Sequence, residues 1–303
     1  MATNSQFLRN PFMDGALPGP PTTAPVLRNQ FRLGQVISER RRERDLLAAG
    51  LFPTKSLLFT GPPGVGKSLA ARWIAKSLAR PLLTLDLSAV MSSFLGRTGT
   101  NLRHVLDYAK QVEAVLLLDE FDALAKRRDD STEVGELKRL VTVLLQEIDD
   151  WPPTGLLIAA TNHPELLDPA VWRRFDVRVE FPMPTQEQVR EATDLFLGAD
   201  NGASDRWRQI LAATLRGLSF NDVERELSRV RRESIIRNES IEQRIISLVQ
   251  TRLNSLTRKE RSEAVLWMTT SGLSQRAVHE LTGVSRDTIR RAAQRQASVR
   301  TEE

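Results

Sequence analysis

The run Gly61-Pro62-Pro63-Gly64-Val65-Gly66-Lys67-Ser68 sets glycines ahead of a lysine and a hydroxyl in the spacing G-x-x-x-x-G-K-[ST]. That spacing suits phosphate chemistry. The glycines let backbone N–H groups close around a triphosphate, Lys67 brings a point charge to the β- and γ-phosphates, and Ser68 offers a ligand for Mg²⁺. Further along, Val115-Leu116-Leu117-Leu118 runs directly into Asp119-Glu120. Carboxylates at the end of a buried apolar run are costly unless a cation or donor compensates them. Beside a phosphate loop that cation is Mg²⁺, held by Asp119 largely through its waters, while Glu120 orients and deprotonates an attacking water. A third apolar run, Leu156 to Thr161, ends on the polar Asn162.

The elements that must position these groups follow from hydropathy. Ser56-Leu57-Leu58-Phe59-Thr60 reads as a buried strand, and Leu69, Ala70, Trp73, Ile74 and Leu78 recur at helical spacing behind the loop, up to Arg80-Pro81. The helix N-terminus adds its positive dipole end to the phosphate site. Leu82 to Leu87 reads as a second strand. Leu102, Val105, Leu106, Ala109 and Val112 form one helix face, and Leu137, Leu140, Val141, Leu144, Leu145 and Ile148 another. Strands alternating with helices predict a parallel sheet covered on both faces, with its ligand at the C-terminal ends of the strands. The glycine loop, the acids and Asn162 all fall at such ends.

Composition bounds the rest. The chain has 303 residues, a net charge of +5, no cysteine and three histidines, with 41% hydrophobic and 27% charged residues. Disulfides and thiolate metal sites are excluded, and His104, His163 and His279 lie too far apart in sequence for a metal-ligand spacing. No apolar run approaches a membrane span and no signal-peptide pattern opens the chain, so the expectation is a soluble cytoplasmic protein without a membrane partner. The mild net charge leaves nucleic-acid binding to be argued from where charges sit. Residues 1–30, rich in proline and glycine, read as a flexible arm, with a docking segment as the alternative. A charged helix is predicted from Leu33 to Ala49, closed by Gly50. Its run Arg40-Arg41-Arg42-Glu43-Arg44 reads as a solvated helix face, or as a nucleic-acid patch.

From about Leu33 to Glu233 the chain resembles AAA+ ATPases, within them the AAA clade of katanin, spastin and bacterial membrane-protease subunits. Walker A is Gly61 to Ser68, and Walker B is Leu116 to Glu120, continuing as Phe121-Asp122-Ala123-Leu124. Ala160-Thr161-Asn162 is similar to sensor 1, whose asparagine positions the lytic water. Leu167-Asp168-Pro169-Ala170-Val171-Trp172-Arg173-Arg174-Phe175-Asp176 is similar to the arginine-finger segment. The resemblance implies ATP and Mg²⁺, with nucleotide contacts from the whole of Gly61 to Ser68, from Leu69 and from Asp119. It implies metal contacts from Ser68 and Asp119. It also implies fingers at Arg174 and, less strictly matched, at Arg173, both of which would serve the neighbouring subunit of a ring, usually a hexamer. Trp172 departs from members that carry a further arginine there.

Phe94-Leu95-Gly96 stands where polypeptide-threading members carry an aromatic–apolar–Gly pore loop; the competing reading tucks Phe94 into the core. Pro184 to Gln188 reads as a loop and a capped helix start, with Thr185 as N-cap and Gln188 reaching back. Gly217-Leu218-Ser219-Phe220-Asn221-Asp222-Val223 resembles the clade's lid signature, with Phe220 and Asn221 in place of Gly-Ala. The expected architecture is α/β: a P-loop NTPase AAA+ core with a parallel five-stranded sheet covered by helices (residues 31–183), an α-helical lid (184–253) and a small all-α C-terminal domain (254–303).

That last domain departs from the family. Thr257-Arg258-Lys259-Glu260 makes a capping box ahead of an apolar helix face with Val265, Leu266 and Met268. A short helix from Ser274 to Thr282, a turn at Gly283-Val284 and a helix from Arg286 to about Gln296 resemble a helix-turn-helix, with Val278, Leu281, Val284 and Ile289 as core. His279 stands where a small residue, usually Ala, is expected. Arg286, Arg290, Arg291 and Arg295 stud the last helix and suit guanine edges and phosphates. The alternative is an interaction or capping module whose arginines are solvated. Two functions therefore compete: an ATP-driven remodeller of an unidentified protein client, and a DNA-bound ATPase acting in transposition, replication loading or regulation. His279-Glu280 lacks the second histidine of a zinc protease.

Overall fold

A computed structural model describes residues 8–9, 24–92, 98–126, 134–197, 204–255, 257, 265, 268–269, 274–287 and 289–290. The strands are β1 (Leu8–Arg9), β2 (Ser56–Thr60), β3 (Leu82–Asp86), β4 (Val115–Asp119), β5 (Leu156–Thr161) and β6 (Val177–Glu180). They form one sheet in the order β1-β3-β4-β5-β2-β6. The five strands β2 to β6 are parallel, as expected, while the short β1 pairs antiparallel along the outer edge of β3. β2 and β5 are buried along their whole length because helices cover both faces, which is why they are continuous apolar runs. β6 alternates as an edge strand does.

Successive side chains of each strand enter opposite cores. Leu58, Leu116, Leu118, Leu157 and Ala159 pack with Leu106 of α5 (Thr98–Gln111) and with Leu144 and Ile148 of α7 (Val134–Asp149). Leu57, Phe59, Leu117, Ile158 and Ala160 pack with Leu33 and Val36 of α1 (Ala24–Arg41) and with Ala70 and Ile74 of α3 (Lys67–Ser77). α1 begins at Ala24, earlier than the predicted Leu33, with Pro25 in its first turn, where the missing N–H costs nothing. The charged helix breaks at Arg42 and resumes as α2 (Glu43–Ala48). Gly50 then takes φ +72° and closes it, with Leu51 N–H donating to the Leu46 carbonyl at 2.9 Å.

Arg40 corrects the reading of the arginine run as a solvated face. It is 4% exposed, and its guanidinium donates to the carbonyls of Thr54, Pro153 and Gly155, which lead into β2 and β5. Glu43 lies 3.6 Å away as counter-charge. Burial lowers the Arg40 pKa to about 10, which leaves the group charged at neutral pH. A charged run does not say which member faces inward; the carbonyl cluster it meets comes from a distant part of the chain. Arg40→Met should cost about 3 kcal/mol of stability, because it strips the donor from buried carbonyls. Chemical denaturation checks this, and an unchanged midpoint would contradict the anchoring role.

The chain divides into two compact units, Met1–Met183 and Pro184–Glu303. The second holds α9 (Gln186–Leu197), α10 (Asp205–Thr214), α11 (Phe220–Arg237), α12 (Ile241–Ser255) and α13 (Gln275–Thr282). α9 opens with the reciprocal cap read from the sequence: Thr185 N–H donates to Gln188 Oε1 at 2.9 Å and Gln188 N–H to Thr185 Oγ1 at 3.3 Å. Ser219 caps α11 through the Asp222 N–H, and Asn238 ends it with φ +51°. α13 packs against α12. Among the described residues, no helix is long and apolar enough to cross a membrane.

Candidate nucleotide site

In the sheet order β4-β5-β2, three neighbouring strands end side by side, about 5 Å apart from one to the next. The acids follow β4, Asn162 follows β5 and the glycine loop follows β2. Topology thus brings together groups far apart in sequence.

The loop is shaped for backbone contact with an anion. Gly61, Gly64 and Gly66 all have positive φ, and Gly66 lies in the left-handed region immediately before α3. A Cβ on Gly61 would come within 2.0 Å of the Phe181 carbonyl oxygen, so only glycine fits there. Val65 is buried and holds the loop to the core. Pro63 is exposed, and Pro62, Ser68 and Leu69 are half-buried.

Lys67 is 6% exposed. Its ammonium donates to the carbonyls of Gly61 (2.6 Å) and Pro62 (2.8 Å) and to Asn162 Oδ1 (2.7 Å), which joins the P-loop directly to the end of β5. Burial lowers its pKa to about 8, against the opposing pull of Asp119 and Asp122. The sign is definite: the ammonium loses its proton as pH rises through about 8, so a phosphate ligand loses its cation. ATP affinity should fall up to about tenfold per pH unit above 8, with binding coupled to proton uptake there. For the unliganded fold the same shift costs stability below pH 8, and that cost lifts as the proton leaves. Titration with a fluorescent ATP analogue between about pH 7 and 9.5 checks this; a flat profile would contradict it.

Ser68 Oγ donates to Asp119 Oδ2 at 3.3 Å. A hydroxyl beside a carboxylate, at a loop built for phosphate, is the hard-oxygen pair that Mg²⁺ takes while keeping most of its waters. Glu120 is exposed and adopts φ +53°, outside the β region, with its N–H bound to Asp119 Oδ1 at 3.0 Å. This bend takes Glu120 out of the line of β4. Asp122 is a residue to which the sequence reading assigned no role. It is 2% exposed, and its Oδ1 accepts from Thr161 Oγ1 (2.9 Å) and from the Asn162 N–H (3.2 Å), pinning the end of β5 to the segment after the acids. A lone Asp between Phe121 and Ala123 was the available signal, since a charge in an apolar setting needs partners.

The two arginines stand elsewhere. Asp168 caps α8 (Pro169–Trp172) by accepting from Ala170 N–H at 2.8 Å, and the chain then leads into β6. The Arg174 carbonyl accepts from Ser56 Oγ at 3.4 Å, and the Asp176 carboxylate accepts from the N–H groups of Lys55 (2.8 Å) and Ser56 (3.0 Å). Arg174 is thus tied to the start of β2, whereas the P-loop follows its end, about 15 Å away along the strand. Its guanidinium is ion-paired with Asp149 at the end of α7, and Arg173 is exposed. Phe94, Leu95 and Gly96 lie outside the described residues, as do Arg291 and Arg295; Arg286 and Arg290 are exposed.

Residues 57–183 match the family described as "ATPase family associated with various cellular activities (AAA)". The chain contains an AAA ATPase domain. It is similar to the "Uncharacterized AAA family ATPase y4kL" of Sinorhizobium fredii, 40% identical over 210 residues that cover 69% of this chain and 63% of that one. It is also similar to the "Proteasome-activating nucleotidase" of Methanocella arvoryzae, 33% identical over 163 residues, covering 52% of this chain and 39% of the relative. The chain therefore spans less than two thirds of the length of either relative. Among solved structures, the FIGL-1 AAA domain in complex with ADP superposes with a TM-score of 0.66 at 19% identity, covering 89% of this chain and 95% of that one. The AAA domain thus has the fold expected from its sequence: a five-stranded parallel sheet between helices, with helices following it.

Proposed function

We propose that this chain hydrolyses ATP as a subunit of a ring, a hexamer by the family resemblance, and uses the turnover to remodel or unfold a protein client. The carrying observation is a division of labour across one strand: the P-loop, Asp119, Glu120 and Asn162 gather at the C-terminal end of the sheet, and Arg174 is tied to the other end. The backbone of Gly61 to Ser68, with Leu69 behind it, cradles the triphosphate, and Lys67 turns from the Gly61 and Pro62 carbonyls to the β- and γ-phosphates. Ser68 and Asp119 would hold Mg²⁺, which when bound would neutralise phosphate charge. Glu120 takes the proton of the attacking water, and Asn162, held by Asp122 and Thr161, orients that water. Arg174, assisted by Arg173, reaches the γ-phosphate on the adjoining subunit, because its own lies too far along the strand.

The name of the archaeal relative, a proteasome-activating nucleotidase, supports a protein client. Phe94-Leu95-Gly96 is the segment assigned to grip it, since an aromatic ring holds extended chain by apolar contact without reading sequence. Residues 184–253 are the helical lid domain that the family resemblance implies. Purifying Glu120→Gln from cells with ATP tests the reading. The expected result is a polypeptide retained only with ATP and lost when Phe94→Ala is added; a client indifferent to both would overturn the threading mechanism.

A further inference from the structure

We infer that the C-terminal helices of the second unit bind double-stranded DNA. α13 (Gln275–Thr282) ends at Gly283, whose φ of +67° makes a tight turn, and helical residues resume at Arg286. Ile289 N–H donates to the Ser285 carbonyl at 3.1 Å, so Ser285 begins that second helical segment. The turn is locked by side chains. Val284 N–H donates to Thr282 Oγ1 at 3.2 Å, and His279 Nδ1 lies 2.8 Å from the Val284 carbonyl, to which it donates. The histidine that departs from the usual small residue thus fastens the turn instead of wedging the helices apart.

The exposed side chains of the described residues point to the partner. Val265, Met268, Val278, Leu281 and Ile289 are all buried and make the apolar inside of this region. Among the described residues from 274 on, the exposed side chains are Ser274, Gln275 and Arg276 at the start of the first helix, and Ser285, Arg286, Asp287 and Arg290 at the start of the second. Arg286 and Arg290, four apart, share a helix face, with Asp287 as the exposed acid between them. A two-helix corner with an apolar inside and a cationic, hydrogen-bonding outside matches a duplex: the second helix lies along the major groove, with Arg286 and Arg290 on the flanking phosphates. The net charge of +5 hides this, because the basic face is local.

Fluorescence anisotropy of the full chain with a labelled mixed-sequence duplex tests the inference, without ATP, so that it does not depend on the ATPase reading. Wild-type protein should bind at low salt. The double variant Arg286→Ala/Arg290→Ala should bind about tenfold or more weakly, with a log–log salt slope shallower by about two, since each phosphate contact contributes roughly 0.9. Both positions are exposed, so the unfolding midpoint and ATP binding should not change. Absence of duplex binding, wild-type affinity in the double variant, or equal competition by an A-form RNA duplex, whose deep, narrow major groove side chains cannot read, would each overturn it.

Discussion

Arg174→Ala is expected to lower ATP turnover by about 10³ to 10⁵, the usual worth of an arginine supplied to a developing phosphate charge. ATP binding should be unchanged, because Arg174 is fastened near Ser56 at the start of β2 and takes no part in its own P-loop. The substitution also removes the ion pair to Asp149. That pair is partly exposed and worth at most about 1 kcal/mol, too little to unfold the domain. Turnover and nucleotide affinity measured on the same preparation separate the two effects. Loss of binding along with turnover would place Arg174 in the architecture and not in the chemistry.

Glu120→Gln is expected to slow turnover by about 10² to 10⁴, the range for removing a positioned general base, with ATP still bound. The change keeps the size of the side chain and suits the strained position: at φ +53° Glu and Gln, both unbranched at Cβ, pay a similar backbone cost, so the fold should not notice the substitution. Lys67, Ser68 and Asp119, which hold the phosphates and metal, are untouched. Single-turnover kinetics should show normal binding and a slowed chemical step; near wild-type turnover would assign the base to another group.

The arrangement of the site was legible in the sequence where chemistry constrains spacing. The glycine loop, the paired acids and Asn162 each end an apolar run, and strand order alone brings those ends together. Caps were legible for the same reason: Thr185 with Gln188 and Gly50 after α2 both act within a few residues. What escaped depends on partners distant in sequence. Arg40 enters the core because Thr54, Pro153 and Gly155 gather carbonyls there, and Asp122 becomes a clamp because β5 ends beside it. β6 is short and alternating, with Arg178 and Glu180 exposed, and carries too little apolar signal to stand out. His279 looked like an obstacle until its bond to the turn was visible.

The central claim is that each subunit completes its neighbour's site, and mixing two inactive variants tests it most directly. Arg174→Ala subunits keep Glu120 but offer no finger; Glu120→Gln subunits keep the finger but lack the base. Combined in one assembly, the finger of the second serves the intact site of the first. Turnover that returns on mixing, in proportion to mixed interfaces, is the predicted result. A mixture that assembles yet stays as inactive as its components would contradict the claim that Arg174 acts across subunits.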